Sequence, residues 1–191
     1  MSAGLPDFRL GSVLATSFTG TLSERHGNAV ERIPTPRRLV DWLAVSGLPV
    51  DSCTPAQLDL ARELRESIHA VATAAAVQDA LPSPAVQVIN DRSAQGRAAA
   101  VLTPGGERLW RLGPASRVED ALGVIAADAI GVIAGERDGR LALCASPTCR
   151  AAFFDTSRSR TRRWCDMNTC GNREKKARFQ ANQRRNAESA R

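Results

Sequence analysis

The stretch LALCASPTC at 141–149, followed after fifteen residues by CDMNTC at 165–170, decides the fold of the C-terminal part of the chain. Cys144 and Cys149 enclose four residues, and so do Cys165 and Cys170. Two such pairs, brought together by chain folding, supply the four donors of a tetrahedral zinc ion, with Zn–S distances of about 2.3 Å. Pro147 restricts a turn within the first pair. Leu141 to Leu143 before it and Ala152 to Phe154 after it read as the two strands of a knuckle hairpin. The segment has few large apolar residues, so a structural zinc, which contributes on the order of 10 kcal/mol to folding, takes the place of a core. With Cys144, Cys149, Cys165 and Cys170 all ligating, no position is left for water, and the metal reads as structural rather than catalytic. Cys53 stands alone and reads as a small core or surface residue.

Beyond the second pair the chain becomes basic. From Arg150 to Arg191 there are twelve Arg or Lys against four Asp or Glu, whereas Met1 to Cys149 holds fourteen against sixteen. The formal charge of +6 is therefore concentrated at one end, as expected if that end meets a polyanion. Gly171 permits a tight backbone after the last cysteine and Asn172 can cap, so a helix is expected from Arg173 onward, with Phe179, Ala177 and Ala181 as its apolar contacts. Arg158, Arg160, Arg162 and Arg163 form an arginine-rich loop ahead of it. Loop and helix together suit phosphate contacts, and Asn182 and Gln183 can in principle read base edges. Arg163 can also stack on Trp164 over the metal site, and Asp155 reads as an arginine partner.

Upstream the chain reads as helices. Thr54-Pro55-Ala56-Gln57 places a hydroxyl at the N-cap, Pro at N1 and Gln at N3, and Leu60, Leu64, Ile68 and Val71 then recur at helical spacing to about Gln78. Thr35-Pro36 opens a shorter helix through Trp42 and Leu43, ended by Gly47. Ser83-Pro84 opens another, ended near Gly96. Ser116 and Glu119 form a capping box ahead of a broad apolar face of Val118, Leu122, Ile125, Ala129, Val132 and Ile133. Between these helices, Ala98–Thr103 and Arg108–Leu112 flank Pro104-Gly105-Gly106, the pattern of a β-hairpin. His26 and His69 are isolated, His69 on the long helix.

With 191 residues, 43% of them hydrophobic and 24% charged, the chain is a globular protein with room for one domain and a small module. Aromatics at only 4% and the absence of Tyr disfavour an all-β sandwich. The expected class is mainly α (α+β): a helical domain with a small hairpin at 1–138, a zinc-binding hairpin plus helix at 139–186, and a disordered tail at 187–191. Met1 to Leu14 lacks a basic n-region and a continuous apolar run, so no signal peptide is expected. Ala121–Ala134 is interrupted by Asp128 and is shorter than the ~20 residues of a membrane span. Five cysteines, an odd number, then favour metal ligation in the cytoplasm over a disulfide framework.

Cys144-x4-Cys149, Phe154-Asp155-x-Ser157-Arg158, Arg162-Arg163-Trp164-Cys165-x4-Cys170 and Gly171-Asn172-Arg173-x-Lys175 together resemble the signature of the bacterial CGNR zinc-finger family, over about Leu141 to Phe179. In that family the finger follows an ABATE domain, and its members are regarded as stress-induced transcription regulators. The resemblance implies four Cys zinc ligands, a helix after the last pair and nucleic acid as partner. The N-terminal half is similar at Leu39-x2-Trp42-Leu43-x3-Gly47. It departs at Thr16-Ser17-Phe18-Thr19-Gly20-Thr21, where family members carry an Asn-Thr pair.

The expectation is a zinc-dependent transcriptional regulator of the nucleoid that binds double-stranded DNA and is not an enzyme. Its candidate contacts are Arg158, Arg160, Arg162, Arg163, Asn172, Arg173, Lys175, Lys176 and Arg178. Its helical domain would receive a small-molecule signal or form a homodimer. The competing reading is an RNA-binding or protein-interaction adaptor with the finger as scaffold. No nucleotide loop, triad or carboxylate pair stands out.

Overall fold

A computed structural model describes residues 7–11, 13–115 and 117–189, with side chains as far as 186. Helix α1 (Leu14–Thr19) leads into a minimal hairpin of β1 (Leu22–Ser23) and β2 (Val30–Glu31). Helices α2 (Pro36–Val45), α3 (Pro55–Ala76) and α4 (Ser83–Gln95) follow. The hairpin β3 (Ala99–Leu102) and β4 (Arg108–Arg111) precedes α5 (Val118–Ile133). The C-terminal module consists of β5 (Arg140–Leu143), β6 (Ala152–Asp155), a π-helical turn (Met167–Gly171) and α6 (Asn172–Ser189). Helices make up about 49% of the chain, and among the described residues the strands form only two-stranded antiparallel hairpins; the class is mainly α. No helix of the described residues is long and apolar enough to cross a membrane.

The capping chemistry places the long helix. Thr54 Oγ1 accepts from the Gln57 N–H at 3.2 Å, and Gln57 Oε1 accepts from the Thr54 N–H at 2.8 Å, satisfying two orphan donors reciprocally. The same Gln57 amide donates to Glu119 at 3.0 and 3.2 Å, tying the start of α3 to the start of α5. Ser116, expected to cap α5, lies outside the described residues. Arg117 stands at the N-cap position, and the buried Asp120 carboxylate accepts the Arg97 N–H at 2.9 Å, fastening the β3–β4 hairpin to the helix. Helix α4 begins on Pro82 without a side-chain cap.

Helix α5 runs through the core, with Leu122, Ile125, Ala126 and Ala129 buried against Leu64, Ile68 and Val71 of α3 and Ile89 of α4. Each fully buried Leu or Ile contributes about 1.5–3 kcal/mol. Phe18 of α1, a helix the sequence reading did not anticipate, lies 5.1 Å from the Trp42 ring at 46°, so α1 and α2 close one end of the bundle. Where α4 ends against α5 the backbones touch: a Cβ on Gly123 would fall 2.5 Å from the Gly96 Cα. Only glycine permits that approach.

The C-terminal module sits on this bundle. Phe154 of β6 and Leu141 of β5 pack with Val13 and Val132, an apolar seam between module and domain. A Cβ on Gly139, at the joint, would meet the Phe154 ring at 2.4 Å.

Candidate metal centre and nucleic-acid interface

Strands β5 and β6 pair Leu143 with Ala152, which brings the start and end of the Cys144–Cys149 loop together. The loop closes through Cys144 N–H to Ala151 O at 2.9 Å and Cys149 N–H to Ser146 O at 3.1 Å. Arg150 follows at φ 48°, a left-handed turn that sends the chain back into β6. The second pair is set by Asp166, whose Oδ1 accepts from the Thr169 N–H at 2.9 Å, opening the π-helical turn that carries Cys170. Asn172, expected as the cap, is already helical at φ −66°, ψ −38°. Its amide donates to Asn168 O at 3.3 Å. The cap is Asp166 because the extended φ of −149° falls there, one residue after a ligand and not two.

The four Sγ atoms of Cys144, Cys149, Cys165 and Cys170 lie within 4.8 Å of one another. Cys149 Sγ is 3.6 Å and Cys170 Sγ 3.7 Å from Cys165 Sγ. Donors about 2.3 Å from a tetrahedral zinc stand about 3.8 Å apart, whereas a disulfide needs about 2.0 Å. The cluster fits one zinc ion, and its electrostatics call for a cation. Hydrogen bonds from Cys149 and Cys165 pull the Cys144 thiol down to about 2. The hydrogen bond to Cys144 pushes Cys149 up to about 12, and hydrogen bonds to Cys144 and Cys149, with burial, push Cys165 higher still. One thiolate forms readily and the next are opposed; a bound divalent ion removes that opposition.

Arg162 builds the loop between the pairs. Its guanidinium donates to Trp164 O at 3.1 Å and to Cys165 O, and lies over the Phe153 ring at 5.3 Å. The fully buried Asp155 accepts the backbone N–H groups of Ser157 and Arg162, both at 2.9 Å, and so works through main chain rather than a guanidinium. Trp164 packs beside the cysteines with the Arg163 guanidinium 5.0 Å from its ring centroid, as expected. Arg160, at φ 48°, is paired with Asp138.

Arg173, 43% exposed, turns its guanidinium back to the helical domain. It grips Glu24 with two hydrogen bonds of 2.7 and 2.8 Å and donates to Cys170 Sγ at 3.3 Å. Glu24 also accepts from Thr148 Oγ1 at 2.8 Å, and the neighbouring His26 N–H donates to Thr148 O at 3.1 Å. The Arg173 hydrogen bond is the main reason the Glu24 carboxyl sits below its ordinary range, against the opposing effect of burial. The β1–β2 loop is thus the helical domain's handle on the zinc module. Sequence reasoning missed it, because nothing local links Glu24 to a partner 149 residues away.

The nine expected contacts therefore divide. Arg160, Arg162 and Arg173 hold the protein together, and Asn172 bonds its own turn. Arg158, Arg163, Lys175, Lys176 and Arg178 are exposed, and none of them makes an ion pair among the described residues. Helix α6 continues to Ser189, past the tail expected from 187; Ala190 and Arg191 lie outside the described residues. Phe179, expected to dock the helix, is 62% exposed.

In the helical domain a cleft of about 510 Å³ opens between α1, β4 and α5, lined by Arg108, Trp110, Asp128 and Arg137. In the Thr16–Thr21 stretch the hydroxyls of Ser17, Thr19 and Thr21 donate to nearby backbone carbonyls at 2.7, 3.1 and 2.7 Å, closing the turn from within.

A helical domain latched to a four-cysteine knuckle with a projecting basic helix defines a zinc-finger protein with its own N-terminal domain. The chain belongs to the ABATE family: the family model described as "Putative stress-induced transcription regulator" matches residues 12–136, and the CGNR zinc finger model matches residues 140–183. No curated protein matches the chain.

Proposed function

We propose that this protein is a cytoplasmic, non-enzymatic transcriptional regulator that binds duplex DNA through its zinc finger. The observation that carries the reading is the unshared positive charge around the metal site: Arg158 and Arg163 on the loop and Lys175, Lys176 and Arg178 on α6 are all exposed. Zinc, bound by Cys144, Cys149, Cys165 and Cys170, supplies structural cross-linking of two turns. Around it, Arg162 and Asp155 shape the loop, Asp166 starts the helical turn, and the Glu24–Arg173 pair fixes the finger's orientation on the helical domain. The exposed cations then meet phosphates, giving affinity and register. A stress signal would be received by the helical domain, whose 510 Å³ cleft is within the size range of small-molecule sites.

The test is fluorescence anisotropy of a labelled duplex titrated with full-length zinc-loaded protein, before and after chelation. Saturable binding that is lost with the metal is expected. Failure to bind duplex, or a preference for single-stranded RNA, would overturn the reading in favour of an adaptor.

A further inference from the structure

Helix α6 has two unlike sides. On a repeat of 3.6 residues, Lys175, Lys176, Phe179, Asn182, Gln183 and Asn186 fall on one stripe, about 17 Å long, and every one of them is exposed. The opposite side carries Ala177, Ala181 and Arg184; Arg178 and Arg185 lie on one shoulder and Gln180 on the other. Three carboxamides and an aromatic ring flanked by two lysines make an unusual face for a helix that only needs to be soluble. A lone exposed apolar residue is commonplace; here it sits among the amides. Phe179 is the one apolar side chain of α6 larger than Ala. The helix therefore cannot form a coiled coil, which needs apolar residues at successive a and d positions.

The chemistry of the stripe is that of a base-reading surface. Asn and Gln amides pair bidentately with N6 and N7 of adenine, and an apolar side chain meets the thymine methyl. Guanine is read chiefly by Arg or Lys; Arg160, Arg162 and Arg173 are bound to Asp138, to main-chain carbonyls and to Glu24 respectively, and Lys175 and Lys176 stand together at the first turn of the stripe, whereas its later turns carry only Phe179 and the three carboxamides. Arg178 and Arg185 on one shoulder are placed for phosphates. Asn182 Oδ1 accepts from Arg185, which fixes that amide's orientation and keeps a second lone pair for a base. Resting on the DNA-binding reading above, we infer that α6 is a recognition helix whose Phe179, Asn182, Gln183 and Asn186 face reads A·T pairs in the major groove.

The experiment is a selection from a random duplex library with full-length zinc-loaded protein. Affinities for the selected site, for the same site with deoxyuridine in place of thymidine, and for an unrelated duplex are then measured for wild type, Phe179→Ala and Asn182→Ala/Gln183→Ala. All three side chains are exposed, and circular dichroism checks that helix content is kept. A motif centred on A·T pairs is expected. The double variant loses about 10- to 100-fold on the selected site and less than about twofold on the unrelated duplex. Phe179→Ala and removal of the thymine methyl weaken binding by similar factors that do not multiply when combined. Duplex binding with no enriched motif, an enriched motif made of G·C pairs, or equal losses on both duplexes overturns this assignment while the DNA-binding reading stands. Absence of duplex binding overturns both.

Discussion

Glu24 and Arg173 form the contact on which the position of the finger turns. Arg173 is part of the Cys170-Gly171-Asn172-Arg173 signature, yet its guanidinium points back to the helical domain and to a ligand sulfur. The signature was legible; the direction in which its arginine points was not, because the acceptor lies on a two-stranded hairpin too short to leave a periodic pattern. Glu24→Gln should cost about 1 kcal/mol of docking, since the pair is partly exposed, and amide exchange at 134–140 should rise; unaltered exchange would show that the apolar seam alone fixes the module. Glu24 has a depressed pKa in the folded protein, so its contribution is present above its ordinary 4.5 and fades as pH falls through the folded value. The wild-type advantage over Glu24→Gln should shrink in that acid range. At the ligands, Cys165→Ala should bring zinc below one per chain by plasma emission and expose the segment after 140 to protease. Full zinc content with intact protection would remove the four-cysteine site from the account.

At the scale of elements, the long helix α3 was readable because its start is written in side-chain chemistry, at Thr54 and Gln57. Helix α1 was not, because six residues cannot display a period and its stability comes from Phe18 against Trp42. The basic helix was expected to dock by Phe179. That expectation fails because its start is set by Asp166 and Cys170, whose tie to the metal cluster anchors α6 without an apolar face. Helix α5 depends on its approach to Gly96, so Gly123→Ala should destabilise the domain by about 1–3 kcal/mol in urea unfolding; a change below about 0.5 kcal/mol would mean the crossing relaxes freely. On α3, burial and the nearby Arg25 push His69 down to about 4 from 6.5. Folding then favours the neutral ring, and stability is lost as pH drops from 6.5 toward 4. His69→Gln should flatten the unfolding midpoint across that window relative to wild type; identical slopes would place the pH sensitivity elsewhere.

For the whole molecule, the charge asymmetry visible in the sequence corresponds to an arrangement in which part of the positive charge is spent internally. Arg160, Arg162 and Arg173 build and orient the finger, and five of the nine expected contacts are left facing outward. Counting charge placed the positive excess on the C-terminal module; only the fold separates cations held by internal partners from those left exposed. That division has a numerical consequence. If Arg158, Arg163, Lys175, Lys176, Arg178 and the exposed Arg185 each displace a counterion, log Kobs should fall with log salt at a slope of about −5. Removing any one, as in Lys175→Ala, should reduce the slope by about 1. The most direct measurement is therefore the affinity of zinc-loaded full-length protein for a duplex across 50 to about 200 mM salt, beside Lys175→Ala and Arg162→Lys. The account predicts a steep slope that is shallower in Lys175→Ala and unaltered in Arg162→Lys. A flat salt dependence, or equal reduction by both substitutions, would contradict it.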